Sequence, residues 1–120
     1  MDNVKKIKAS FFKTDSGKEP VRDWLMTLSK EDRQKIGEDI KTVEFGFPIG
    51  MPTCRPMGKG LYEVRTNLEN TITRVLFFIE GEQMILLHGF MKKTQKTPKE
   101  ELDLALKRQS EFKNKSRSEK

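Results

Sequence analysis

The sequence predicts an α+β fold in which an N-terminal helical hairpin packs on a small, twisted, mostly antiparallel sheet and a C-terminal helix follows. Three observations predict it. Apolar residues repeat at helical spacing in two adjoining segments near the start of the chain, three apolar runs separated by turn residues come next, and a strong helix start follows the last run. Helical repeats indicate amphipathic helices, whereas short runs bounded by turns indicate strands.

The N-terminal part is predicted to form one strand and then two helices. Residues 4–12 alternate imperfectly between apolar and polar and suggest the strand. Pro20 suits the first turn of a helix. The apolar stripe of that helix is Val21, Trp24, Leu25 and Leu28. Ser29 is a candidate N-cap for a second helix, which Gly46 is expected to end. The short connection between the two helices predicts a hairpin.

The middle of the chain is predicted to form a loop and then a β-meander. Residues 47–60 contain three prolines and three glycines, so we expect a packed loop there. Residues 61–66, 71–79 and 84–90 are predicted strands, and the turn residues between them favour antiparallel pairing. The last two strands each contain four consecutive apolar residues. They are therefore expected to be covered on both faces.

The C-terminal helix has the sharpest predicted start in the chain. Thr97 is a candidate cap, Pro98 suits the first helical position, and Glu100 stands three residues after the cap, as in a capping box. The apolar pattern ends at Phe112. We therefore expect residues 1–112 to form a single domain and residues 113–120 to form a basic, disordered tail.

Two stretches in the second half of the chain carry a local excess of basic residues. The 120 residues include 24 Lys and Arg against 18 Asp and Glu, a formal net charge of +6. Residues 84–98 contain three lysines and no acid, and residues 107–120 contain six basic residues against two acidic ones. Such a distribution is typical of a surface that binds polyanions. For the last eight residues, a solvated tail that aids solubility is the simpler interpretation.

Composition also excludes several classes of function. One cysteine rules out an internal disulfide, and one histidine with one cysteine gives no metal-ligand cluster, so we expect neither a metal nor a cofactor. No segment approaches the roughly 20 apolar residues of a membrane helix. The N-terminal residues lack an apolar secretory core, so we expect a cytoplasmic protein with no membrane contact.

The remaining candidates are polar side chains on or beside the predicted sheet. They are Tyr62 and Arg65 on the first meander strand, Arg74 on the second, and His88, Lys92, Lys93 and Lys96 at the end of the third strand and after it. Antiparallel pairing about the turn at residues 67–70 brings Arg65 and Arg74 close together. Whether they share a face depends on the turn register.

Fixed cations suit one step of RNA cleavage by its own 2′-hydroxyl, since they stabilise the charge of the pentavalent phosphate. A lysine or histidine whose pKa is tuned towards neutrality can transfer the protons. A basic strand pair is also typical of a plain binding surface. His88 can equally be a core histidine, and Arg74 either meets an acid such as Glu63 or faces an anionic ligand. Tyr62 can simply pack, and Cys54 is expected to be inert.

Three segments resemble a known family: LYEVR at 61–65, RVLFF at 74–78 and LLHGFMKKTQKTP at 86–98. They look like the HigB-type, phage Gp49-like branch of the RelE/ParE toxin superfamily, and the likeness runs from about residue 4 to residue 108. The resemblance implies a RelE-like fold and a toxin encoded beside an antitoxin, expected to be a helix-turn-helix protein whose complex with the toxin binds operator DNA. Many such toxins enter the ribosomal A site and cut translated mRNA without a metal.

The resemblance also implies site residues. The family's basic cleft residues correspond to Arg65, Arg74 and Lys92 or Lys93. Some relatives add a tyrosine or histidine in the C-terminal segment, but residues 97–120 contain neither, so His88 or a lysine of residues 92–96 would transfer protons. The residues expected to bind RNA are Lys59, Tyr62 and Lys96. Two alternatives stay open: a ParE-like inhibitor of DNA gyrase, and a non-catalytic phage-derived binding protein.

Overall fold

A computed structural model describes residues 4–47, 54–69, 71–92 and 96–118, and the side chains of Lys92 and of residues 116–118 are not among the described parts. It confirms the predicted α+β class. Three helices and five strands follow one another as β1 (Lys8–Phe11), α1 (Pro20–Met26), α2 (Lys30–Gly46), β2 (Cys54–Gly58), β3 (Leu61–Asn67), β4 (Ile72–Glu80), β5 (Gln83–Lys92) and α3 (Lys99–Ser118).

The five strands form one mixed sheet in the order β1-β5-β4-β3-β2. Strands β2 to β5 pair antiparallel, as the meander prediction requires, and β1 pairs parallel with β5. The register places Arg65 opposite Arg74 and Arg74 opposite Phe90. One irregularity interrupts the β4–β5 ladder between Leu76 and Phe77. The sheet therefore has β4 at its centre and β1 and β2 at its edges.

The core lies on both faces of the sheet, because alternate residues of a strand point to opposite sides. On the first face, which we call the hairpin face, α1 and α2 cover residues that include Val64, Val75 and Phe77. On the second, the α3 face, the C-terminal helix covers Leu76 and Phe78. Strands β4 and β5 are thus buried on both faces, which explains their continuous apolar runs.

Strand β2 corrects the prediction of a loop over residues 47–60. It occupies Cys54–Gly58 and pairs with β3, although it contains Pro56. Proline donates no hydrogen bond and is therefore tolerated on an edge strand, where one side of the backbone needs no partner. Gly58, Lys59 and Gly60 all have positive φ in the following turn. Residues 48–53 lie outside the described residues.

The two helix starts near the N-terminus agree with the sequence. Pro20 opens α1, and the Ser29 side chain accepts a hydrogen bond from the Asp32 N–H at 3.1 Å at the start of α2.

A buried carboxylate that the sequence did not signal joins α2 to β1. Glu44 accepts a hydrogen bond from the Ala9 N–H at 2.7 Å and pairs with the Lys5 ammonium at 3.1 Å.

Helix α3 differs from its prediction at both ends. The helix begins at Lys99, one residue after Pro98, the predicted first helical position, and the Pro98 carbonyl accepts from the Leu102 N–H at 3.3 Å. A disordered tail was expected from residue 113, yet the helix continues past Phe112 to Ser118. Phe112 packs edge-on against Phe78 at 5.5 Å, which holds this part of the helix to the sheet. Among the helices in the described ranges, none is long and apolar enough to cross a membrane.

Candidate nucleic-acid interface

Arg74 lies at the centre of the sheet and is fully buried. Its guanidinium donates from Nη1 to the Glu63 carboxylate at 2.6 Å, and both side chains have no exposed surface. Glu63 stands on β3 two residues from the position opposite Arg74, so the pair runs diagonally across the ladder. Of the two alternatives predicted for Arg74, the structure shows the carboxylate partner. The guanidinium therefore lies beneath the surface of the molecule.

The second oxygen of Glu63 binds the segment that leads into α3. The Thr97 hydroxyl, itself buried, donates to Oε2 at 2.7 Å. Glu63 thus uses one oxygen for a side chain of β4 and the other for a side chain just before α3. We call these three residues the Arg74–Glu63–Thr97 network. It connects β3 to the segment before α3, since Glu63 and Thr97 are 34 positions apart in the chain.

Arg65 is a second arginine on the same face of the sheet as Arg74. It lies directly opposite Arg74, so the two side chains share the α3 face, and Arg65 is half-buried. Within the described ranges, no carboxylate forms an ion pair with Arg65. Glu63, which lies two residues before Arg65 on β3, is bound to Arg74. The positive charge of Arg65 is therefore available to an anion from outside.

The predicted lysines lie at the end of β5 and, in the sequence, between β5 and α3. Lys92 ends β5 opposite Ile72, its side chain lies outside the described parts, and Lys93 lies outside the described residues. Lys96 is exposed and immediately precedes Thr97. The structure therefore brings Arg65, Arg74 and the residue next to Lys96 together.

His88 lies between β5 and α3, with both ring nitrogens in contact. Its Nε2 is 2.5 Å from a Glu101 oxygen, and its Nδ1 is 3.4 Å from the Arg108 guanidinium. Because arginine can only donate, we assign the ring proton to Nε2, which then donates to Glu101. The ring also stacks on Phe90 at 5.4 Å. His88 is thus held by side chains of α3.

Arg108 reinforces this contact between α3 and β5. Its guanidinium donates to the Leu87 carbonyl at 2.8 Å. Burial lowers the pKa of Arg108 below its usual range, and the nearby Glu111 carboxylate partly offsets that shift. Nothing in the sequence signalled the contacts of His88, because they depend on where α3 crosses the sheet.

Two residues predicted to bind RNA lie away from Arg65. Tyr62 is on the hairpin face, where it stacks on Phe77 at 5.4 Å and meets the edge of Phe47 at 5.2 Å. Lys59 is in the β2–β3 turn, beyond the opposite end of β3, and its carbonyl accepts from the Gln109 amide at 3.2 Å. The structure therefore does not bring Tyr62 or Lys59 to the Arg65 surface.

The described ranges offer little support for a metal site or for a reactive cysteine. No group of three or more His, Cys, Asp or Glu residues that could hold a metal ion occurs there. Cys54 is a buried free thiol, and burial raises its pKa to about 11. A thiol with that pKa is protonated at neutral pH and is a weak nucleophile.

Comparisons with known proteins show to which family the chain belongs. Over 61 residues, the chain is 39% identical to proteins named "Probable endoribonuclease HigB1" from two Mycobacterium tuberculosis strains, CDC 1551 / Oshkosh and ATCC 25618 / H37Rv. The aligned part is 51% of this chain and 49% of each relative, so the chain spans about half the length of the curated relatives it matches. Residues 23–110 match the family described as phage-derived protein Gp49-like (DUF891), and the chain therefore belongs to that Gp49-like family.

Proposed function

We propose that this chain is the toxin of a type II toxin–antitoxin pair and that it cuts mRNA on the ribosome, by attack of the RNA 2′-hydroxyl and without a metal. The observation that carries the proposal is Arg65, a half-buried arginine with no described acidic partner beside a second arginine whose charge is already satisfied. The relatives named as probable endoribonucleases support the same activity.

Arg65 is the residue that contacts the phosphate in this proposal. A cation there gains energy as charge accumulates on the phosphate oxygens in the transition state. Arg74 does not touch the RNA and contributes from below, through its contact with Glu63. Lys92, Lys93 and Lys96 bind the RNA backbone, and one of the lysines transfers protons. We assign that step to a lysine, because both ring nitrogens of His88 are already engaged.

The proposal includes the partners of such a toxin. The protein acts in the cytoplasm on ribosome-bound mRNA. A helix-turn-helix antitoxin neutralises it by covering the basic surface at Arg65 and Lys96 with a helix or an extended segment. The toxin–antitoxin complex binds operator DNA.

Expression of variants in bacterial cells, with mRNA 5′ ends mapped, tests the activity. We expect wild type to arrest growth and create new mRNA ends, and Arg65→Ala to lower cleavage by about 10²–10³-fold, the usual effect of removing one charge-stabilising donor. Arg22→Ala is the matched control, since Arg22 is exposed on α1 and its loss changes net charge equally. Arg74→Ala is unsuitable because it leaves Glu63 buried without its partner.

Arrest with intact transcripts, or full cleavage by Arg65→Ala, would contradict the nuclease proposal. A ParE-like inhibitor of DNA gyrase is the second candidate, favoured by the engaged ring of His88. It predicts induction of the DNA-damage response without new mRNA ends. A non-catalytic phage-derived binding protein predicts neither arrest nor cleavage.

A further inference from the structure

We propose that Glu63 and Thr97 are positioning residues for the RNA site, and this inference rests on the proposed function. Glu63 binds Arg74 with one oxygen and Thr97 with the other. The bond to Arg74 fixes its guanidinium beneath Arg65. The bond to Thr97 fixes that residue, which follows Lys96, against the sheet. The network therefore sets the distance between Arg65 and the backbone at Lys96.

Stability alone does not account for a buried ion pair in the middle of this sheet. Both side chains are fully buried, and the cost of removing two charges from water largely cancels their attraction. Apolar side chains of similar size would pack there equally well. What the ion pair adds is orientation, because a carboxylate with two committed oxygens allows its partners few arrangements.

Arg65 depends on Glu63 through Arg74. Directly opposite residues on antiparallel strands have Cβ atoms about 4.5–5.5 Å apart, so two guanidinium groups at these positions repel each other. Glu63 draws the Arg74 guanidinium diagonally along the ladder and neutralises its charge. Arg65 can then keep its place on the α3 face while its own charge stays available for an anion.

Thr97 connects the same carboxylate to Lys96, the residue before it in the chain. It follows Lys96 directly, and its hydroxyl donates to Glu63 although its position suggests a helix cap. The bond is between side chains and is buried, so water cannot easily replace it. The backbone at residue 96 is consequently tethered to the sheet that carries Arg65.

Conservative changes at Thr97 test the inference, with cleavage of ribosome-bound mRNA measured as separate kcat and KM values. Thr97→Val keeps the shape and removes the donor. We expect it to lower kcat by about 10–100-fold with a much smaller change in KM, because small misplacements of catalytic groups cost up to about a hundredfold in rate. Thr97→Ser keeps the donor and is expected to restore most of that loss.

Thr73→Val is the matched control, because Thr73 is a buried threonine of β4, the strand that carries Arg74. It lies on the hairpin face, and its hydroxyl donates to the Thr66 carbonyl at a longer distance, 3.4 Å. We expect its kcat to match wild type, with thermal midpoints recorded for all variants. Unchanged cleavage by Thr97→Val, no rescue by Thr97→Ser, or an equal loss in Thr73→Val would overturn the positioning role alone. Wild type that leaves ribosome-bound mRNA intact would overturn the proposed function and this role with it.

Discussion

Glu63 and Arg74 place two opposite charges at the centre of the sheet, where water cannot reach them. The energetic value of such a pair depends on which partner is removed. Loss of one side chain leaves the other charge buried and uncompensated, whereas loss of both leaves an apolar contact. The Thr97 hydroxyl adds a third group that depends on Glu63. The free energy of unfolding should therefore respond to single and double substitutions in a strongly non-additive way.

A double-mutant cycle measures this coupling. We expect Arg74→Met and Glu63→Leu each to lower the free energy of unfolding by about 3–5 kcal/mol, and the double variant to lose less than either. Urea denaturation of all four proteins gives the values. Lys41→Met serves as the exposed control, because Lys41 is exposed on α2 and surface substitutions usually change the free energy of unfolding by no more than about 0.5 kcal/mol. Additive losses in the cycle would show that the two charges are not coupled.

Individual contacts at the site were predictable only where the strand register decides them. The sequence indicated that Arg65 and Arg74 come close and named Glu63 as a partner for Arg74, because all three lie on one predicted hairpin. Tyr62 was grouped with Arg65 although odd and even strand positions point to opposite faces. The contact of His88 with Glu101 could not be predicted, since it requires the position of α3 across β5.

Elements were easier to predict than contacts, because hydrophobic periodicity and caps are local signals. Both helices of the hairpin and three strands were placed near their observed bounds. β2 was missed because its proline and glycine content is typical of loops, and only its place at the sheet edge makes it a strand. Helix α3 runs past its apolar stripe because Phe112 and the Lys113 ammonium, 5.6 Å from the ring centre, both contact Phe78.

Substitution by alanine is expected to have opposite effects at two glycines, Gly89 in β5 and Gly37 in α2. A Cβ on Gly89 would lie 2.4 Å from Trp24 Cε3, so Gly89→Ala forces the ring or the strand to move. We expect a loss of about 1–3 kcal/mol in the free energy of unfolding, as for other overpacked sites.

Gly37 is exposed in α2 with nothing within 4 Å, so Gly37→Ala should gain about 0.5–1 kcal/mol. Urea denaturation measures both, and equal stability of the Gly89→Ala variant would contradict the close contact.

At the scale of the whole molecule, the sheet separates two different surfaces. The hairpin face is closed by α1 and α2 over an apolar core, and Tyr62 belongs to it. The α3 face carries the ionic groups of the candidate site: the network, Arg65 and the contacts of His88. Net charge of +6 attracts RNA from any direction, but only a local cluster of cations fixes where the backbone binds. Long-range attraction and local binding can be separated by their dependence on salt.

Binding of a single-stranded RNA oligonucleotide across a range of KCl concentrations makes that separation. The slope of log K against log salt changes by about 0.7 for each phosphate contact with a single strand. Arg65→Ala should therefore reduce the slope by about 0.7, whereas Arg22→Ala, with the same change in net charge, should leave it near the wild-type value. Fluorescence anisotropy provides the affinities. Identical slopes for the two variants would mean that RNA responds to total charge alone, and that Arg65 does not contact a phosphate.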